Sequence, residues 1–294
     1  MQVFGIDFTS RPRRGKPITC LPCRLQGDRL VAGSLACWCD FASFESFLRQ
    51  PGPWIAGLDF PFGQSRTFLT NIGWPMTWCG YVRHAETLGR TGFRQALDAY
   101  RAQRPAGDKE HRRATDQAAG AISPQKLHGT PVGLMFFEGA PRLLRAGVTI
   151  PGIHAGDPGR LCVEAYPGLL ARALIGRRSY KQDDPKKQSP AREQARRELL
   201  AAILDGATRA AYGLTIEAPG SLADDPTGDS LDALLCAIQA AWAWRQWADD
   251  VGQLTVPEAT RSMSIQRSTI DPLEGWIADP HLVHGPPPSN PTAA

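Results

Sequence analysis

Short apolar runs and stretches of helical periodicity alternate along this chain, and that alternation predicts an α/β protein. Residues 3–8 read as a first strand. Residues 17–25 and 29–37 read as two more, joined by a hairpin turn at Gly27-Asp28. Phe41, Phe44, Phe47 and Leu48 then recur at helical spacing, with Asp40 or Ser43 placed to cap the helix start. Residues 54–60 read as a buried strand ending at Pro61-Phe62-Gly63. From about residue 64 to 158 the texture changes. Arg83, Arg90, Arg94, Arg101 and Arg104 punctuate one or two helices, residues 109–121 are polar and basic, and the stretch reads as a helical insertion rather than part of a sheet. Another short strand at 161–166 is stopped by Pro167-Gly168 and followed by a helix at 169–175. Residues 177–188 form a basic, proline-containing loop, and 191–204 an amphipathic helix. Residues 229–247 predict a helix apolar on nearly every side, which packs deep against a sheet. The pattern places a single domain over residues 1–279 and a Pro-rich, disordered tail over 280–294.

Composition changes little in this picture. Hydrophobic residues at 42% and charged residues at 21% of 294 are enough for a sizeable core. A net charge of +4 permits a nucleic-acid partner without requiring one. The opening MQVFGIDFTS lacks the basic start and long apolar run of a signal peptide, and no stretch approaches the roughly 18 apolar residues of a membrane span. The expectation is a soluble, cytoplasmic protein with no membrane partner. The seven cysteines do not suggest a disulfide framework. Cys20 and Cys23 with Cys37 and Cys39 offer a conceivable zinc set, but both pairs fall in strand-like stretches and C-x-C is poor zinc spacing. Buried or half-buried strand cysteines are the favoured reading.

The chemistry gathers at acids. Three of the apolar runs carry a carboxylate at or near their C-terminal end: Asp7, Asp59 and Glu164. In an open α/β sheet, functional groups collect where parallel strands end. Asp229 and Asp232, three residues apart, lie on one face of the first turn of the long helix, where the helix dipole favours negative charge. Each acid alone has a plain structural reading as a turn-former or helix cap. Glu164, inside an apolar run, is the hardest to dismiss that way. Carboxylates held together and buried repel, and a divalent cation removes the conflict. Hard oxygen ligands suit Mg²⁺ or Mn²⁺, and two such ions roughly 4 Å apart activate water and stabilise the leaving oxygen of a phosphodiester.

The strings Gly-Ile-Asp7, Gly-Leu-Asp59-Phe-Pro-Phe-Gly, Val-Glu164-Ala-Tyr-Pro-Gly and Asp229-Ser-Leu-Asp232-Ala-Leu resemble the family called domain of unknown function 429, over roughly residues 1–250. That family is regarded as predicted nucleases. The resemblance implies a ribonuclease H-like α/β fold, a mixed sheet flanked by helices and here carrying a helical insertion. The Asp-x-x-Asp-Ala string also resembles the RuvC-like Holliday-junction resolvases. By that likeness Asp7, Asp229 and Asp232 are core metal ligands, with Asp59 or Glu164 completing the set, and Asp7, Glu164, Asp229 and Asp232 carry catalysis. Lys181 follows the Glu strand, where the family tends to carry a lysine, and is placed near the metals as a substrate contact.

Between Arg172 and Glu198, nine Lys or Arg face four acids, a composition that suits phosphate contacts and equally a solvated loop. Arg11, with Arg13, Arg14 and Lys16, follows the first strand closely and could touch a substrate backbone. His111 and His128 are weaker candidates for proton transfer, and Trp242, Trp244 and Trp247 read as core. The expected function is a Mg²⁺- or Mn²⁺-dependent nuclease acting on nucleic acid, with no motif selecting DNA over RNA or fixing an oligomeric state. The competing readings are phosphoryl transfer of the actin-like or sugar-kinase type, suggested by Gly5-Ile-Asp7-Phe-Thr9-Ser10 but lacking a second Gly-rich phosphate loop, and a non-catalytic nucleic-acid-binding module.

Overall fold

The computed structural model describes residues 1–253 and 270–283. In chain order the elements are β1 (Gln2–Asp7), β2 (Ile18–Gln26), β3 (Arg29–Ala32), β4 (Ala36–Trp38), α1 (Phe41–Leu48), β5 (Trp54–Leu58), α2 (Arg66–Ile72), α3 (Trp78–Ala102), α4 (Ala114–Ala119), α5 (Val132–Ala146), β6 (Val148–Thr149), β7 (Asp157–Glu164), α6 (Pro167–Ile175), α7 (Pro190–Leu204), α8 (Arg209–Tyr212), β8 (Thr215–Glu217), α9 (Asp229–Gln253) and α10 (Pro280–Val283). One mixed sheet runs β6-β7-β5-β1-β2-β3-β8, and β4 shares the free edge of β2 with β3. β1, β2 and β3 form an antiparallel meander, while β5 and β7 continue the sheet parallel to β1. The expected strand over 29–37 is therefore two short strands, separated at Gly33-Ser34-Leu35. Asp40, not Ser43, caps α1, its carboxylate accepting from the Ser43 amide at 2.8 Å.

Strand alternation sorts the core into two layers. Val3, Leu21, Ile55, Leu161 and Val163 point to one face, against α6, α7 and α9. Ile6, Ile18, Cys20, Ala56, Leu58 and Cys162 point to the other, against α1, α2, α3 and α5. The stretch from 64 to 158 is thus no appendage. Its helices α2, α3 and α5 join α1 in the layer on that face of the sheet, where Phe68, Leu69, Phe93, Leu97, Phe136, Ala140 and Leu143 are buried. The same stretch also supplies edge strand β6 and the start of β7, so the purely helical expectation is corrected there. α3 turns at Gly89, whose φ of 66° leaves the helical region.

The tail does not begin at residue 280 as expected. Residues 280–283 form the short helix α10, and Asp279, fully buried, accepts from Tyr212 Oη at 2.5 Å and Gln239 Nε2 at 2.6 Å. The remainder of the expected tail, residues 284–294, lies outside the described residues. No helix among the described residues is long and apolar enough to cross a membrane.

The zinc reading of the cysteines fails on the same alternation. Cys20 and Cys23 are buried on opposite faces of β2, whereas Cys37 and Cys39 are exposed. The exposure of that second pair also departs from the expected buried or half-buried state. Trp242 is buried and Trp244 and Trp247 pack partly buried against the core, as expected.

Candidate functional site

The site is assembled from two strand ends and one helix start. Asp7 closes β1 and Asp59 follows β5, and these strands pair in parallel with Ile6 opposite Leu58. The Asp59 amide donates to the Ile6 carbonyl at 3.0 Å, so the two acids are neighbours across the sheet edge. Two residues before each Asp stands a glycine, and period-2 alternation puts that glycine on the same face as the acid. This is the α9 face. A Cβ on Gly5 would lie 1.8 Å from the Ala233 carbonyl oxygen, and one on Gly57 would lie 2.4 Å from that of Cys236. The glycines therefore let the α9 backbone lie directly on the sheet, and α9 answers with small residues Ala233, Ala237, Ala240 and Ala241, all buried. That close approach carries the first turn of α9 to the two aspartates.

Asp225 caps this first turn, its carboxylate accepting from the amide and hydroxyl of both Thr227 and Ser230 at 2.7–2.9 Å. Asp229 and Asp232 are thereby free of capping duty. The Asp232 side chain is fully buried and joins Asp7 and Asp59 in a cluster whose nearest ligand oxygens all lie within 4.8 Å of one another. Asp232 accepts hydrogen bonds from Tyr180 Oη and from the Lys181 ammonium. Asp229 sits beside the cluster and pairs with Lys16 at 3.0 Å, and Lys16 also reaches Asp183 at 2.7 Å. Lys16 is brought there by a tight turn in which Arg13 and Lys16 exchange backbone hydrogen bonds. Lys181 is held from behind. Buried Arg196 donates to the Tyr180 carbonyl and to that of Ala223, both at 3.0 Å, tying the lysine segment to the chain that leads into α9.

Four carboxylates thus share two ammonium groups, and their titration reflects the shortfall. Burial, then repulsion from Asp229, Asp232 and Asp59, drives the Asp7 carboxyl well above the usual carboxylate range. Burial likewise pushes Asp59 up to about 7, against the opposing pull of Lys181. Asp229 is raised by burial and partly restrained by Lys16. Lys181 loses some basicity to burial but gains more from Asp232, and ends well above its ordinary value. The cluster is a set of acids whose ionised state lacks sufficient positive charge.

Glu164, expected among the metal ligands and catalytic groups, is not in the cluster. β7 pairs with β5 so that Glu164 is opposite Leu58, one residue short of Asp59. A one-residue offset turns a side chain to the other face of the sheet. There Glu164 meets Arg113, which donates to it at 2.5 and 2.7 Å, and the Phe62 amide, which donates at 2.8 Å. Arg113 also holds Asp116 at 2.7 Å and the Glu274 carbonyl at 3.0 Å. Arg113, Asp116 and Glu164 are all buried, so the network is an internal ion triad that fastens α4 and residues 271–279 to the end of β7. Its acids already have a buried cation. Of the two acids left as alternatives, Asp59 lies in the cluster and Glu164 does not.

The other candidates are placed as follows. Arg11 is exposed and lines a groove of about 520 Å³ beside the end of β1. His111 bonds Tyr100 Oη at 2.6 Å beside α3, and His128 is exposed. Neither joins the carboxylates. Tyr180 was not anticipated as a site-forming residue, and only its adjacency to Lys181 hinted at it. The sequence around His111, with Arg112, Arg113 and Asp116, reads as a polar cluster, and of these Arg113 and Asp116 do pair, but away from the carboxylates.

A family model described as "Protein of unknown function (DUF429)" matches residues 5–259, which include Asp7, Asp59, Lys181, Asp229 and Asp232. No curated protein and no solved structure matches the chain.

Proposed function

The chain belongs to the family described as Protein of unknown function (DUF429), and from that premise we propose that it is a metal-dependent nuclease of ribonuclease H-like fold, hydrolysing phosphodiester bonds of nucleic acid. The observation that carries this reading is the convergence of Asp7, Asp59 and Asp232, three oxygen donors on rigid elements within 4.8 Å of one another. The donor set suits Mg²⁺ or Mn²⁺, which prefer carboxylate oxygens. An octahedral ion about 2.1 Å from each oxygen sets adjacent donors about 3.0 Å apart, so the three carboxylates would draw inward around it by side-chain adjustment. The raised carboxyls supply a second argument, since a divalent cation would provide the positive charge that the two lysines leave wanting. For the fold, the supporting features are the antiparallel β1-β2-β3 meander, its parallel continuation through β5 and β7, and the acids gathered at one edge.

In this reading Asp7, Asp59 and Asp232 hold the metal, with Asp229 beside them as a further oxygen donor. The metal, when bound, activates water and offsets charge on the scissile phosphate. Tyr180 orients Asp232 through its hydroxyl. Lys181 presents an ammonium at the cluster, where it can meet a phosphate oxygen, and Lys16 does the same over Asp229.

The test uses labelled single-stranded, duplex and branched DNA and RNA with Mn²⁺, Mg²⁺ or EDTA, and Asp7→Asn and Asp232→Asn run in parallel. Metal-dependent cutting lost in both variants is the expected result. Cutting that survives EDTA or either substitution would overturn the metal site. Metal binding with no cutting of any substrate would move the reading to phosphoryl transfer on a small molecule.

A further inference from the structure

Beside the carboxylate edge lies the open groove of about 520 Å³, walled by Ser10, Arg11, Asp40, Phe41, Arg90 and Glu138. Its two arginines differ in state. Arg90 is committed to the wall, since its Nη1 donates to the Ser10 carbonyl at 3.0 Å and to Glu138. Glu138 is itself held by Arg142 at 2.8 Å, so the groove's buried acid is balanced by two guanidinium groups. Asp40 is turned into the cap of α1 and spends its carboxylate on the Ser43 amide. Arg11 is exposed, and its guanidinium has no ion-pair partner among the described residues. Among the described residues, the groove thus presents one unpaired guanidinium, that of Arg11, and no unpaired buried acid. Its apolar wall is Phe41, a ring covered on one side by Arg142 at 3.8 Å and tilted at 33° to the Phe8 ring, whose centre lies 6.1 Å away. Ser10 is three residues beyond Asp7, so the groove begins within roughly 11 Å of the cluster along the chain.

We propose that this groove is a phosphate-ester subsite: Arg11 engages a phosphoryl group whose attached organic moiety rests against Phe41. An exposed, unpaired guanidinium with its planar fork is the preferred side chain for phosphate, and an adjoining aromatic ring suits a base or sugar. The subsite deepens the nuclease reading and rests on it for its role, which is to hold a nucleotide neighbouring the scissile bond. Binding at the groove itself involves no metal.

The experiment is calorimetric titration of the protein with a nucleoside 5′-monophosphate, and separately with inorganic phosphate, both in EDTA. The wild type is compared with Arg11→Gln, Phe41→Leu and, as a control for general surface charge, Arg14→Gln, an exposed arginine outside the groove. Arg11→Gln should weaken both ligands by about five-fold or more, the loss of a charge-assisted contact at an exposed position. Phe41→Leu should weaken the nucleotide but not phosphate, and Arg14→Gln should change neither. Equal affinity in wild type and Arg11→Gln, no wild-type binding at millimolar ligand, or an equal loss in Arg14→Gln would each overturn the subsite. Nuclease activity is measured on the same preparations. Arg11-dependent binding without metal-dependent cutting would leave the subsite standing and remove the nuclease reading. Cutting without Arg11-dependent binding would do the reverse.

Discussion

Replacing Gly5 by alanine tests the arrangement at its tightest point. The new Cβ would lie 1.8 Å from the Ala233 carbonyl oxygen and 2.4 Å from the Ala237 nitrogen. Both are helix backbone atoms, so no side chain can swing aside. Restoring ordinary contact of roughly 3.5 Å requires α9 to retreat from β1 by about 1.7 Å. Overpacking of this kind costs about 1–3 kcal/mol, and a clash with backbone belongs at the upper end. For a domain of this size about 3 kcal/mol lowers the melting temperature by roughly 6–12 °C. Asp232 immediately precedes Ala233, so the retreat also draws its carboxylate away from Asp7 and Asp59. Metal sites tolerate only about 0.2 Å of error in ligand distance, and Mn²⁺ affinity should fall at least about ten-fold. Gly15 is the control, because a Cβ there meets nothing within 4 Å and Gly15→Ala should stay within about 0.5 kcal/mol of wild type. Urea unfolding and Mn²⁺ titration of both variants decide the matter. If Gly5→Ala matched Gly15→Ala in stability and metal affinity, helix proximity would not be what builds the site.

Further outcomes follow from the charges. Because burial raises Asp59 to about 7, its protonated form is favoured in the folded state; its contribution to stability is full below about pH 4 and is lost as pH rises through 7. Metal-free protein should therefore melt lower at pH 8 than at pH 5.5, and Mn²⁺ affinity should climb across the same interval as protons are released, both read by pH-resolved melting and titration. A flat metal affinity between pH 5.5 and 8 would contradict this. Mn²⁺ at a hundred times its Kd should raise stability by about 2.7 kcal/mol in wild type and not in Asp232→Asn, as seen by scanning calorimetry. Glu164→Gln should cost about 3 kcal/mol by leaving Arg113 short of a buried counter-charge, yet keep Mn²⁺ affinity; loss of metal binding in that variant would return Glu164 to the ligand set.

Much of the site was legible in the chain. The repeated Gly-x-Asp at residues 5–7 and 57–59 encodes both the acid and the smooth strand surface beneath it. The helix with Asp229 and Asp232 in its first turn and alanines below encodes the surface that fits it. These are local signals, because alternation along a strand and angular spacing along a helix are fixed by backbone geometry. The cysteine at 162, where a glycine would have matched the other two strands, was the available hint that Glu164 faces elsewhere. What the chain could not declare was register between strands distant in sequence. A single-residue offset between β5 and β7 sends Glu164 to the opposite layer, and its partner Arg113 comes from a helix start whose sequence marks no such role. The pairing of Lys16 with Asp229 and the burial of Asp279 likewise join residues with no shared periodicity. Sequence by itself determined the acids, the strands that carry them and the helix that meets them. Tertiary structure decided which acids converge, because convergence depends on packing distance and inter-strand register, and neither is a property of any one segment.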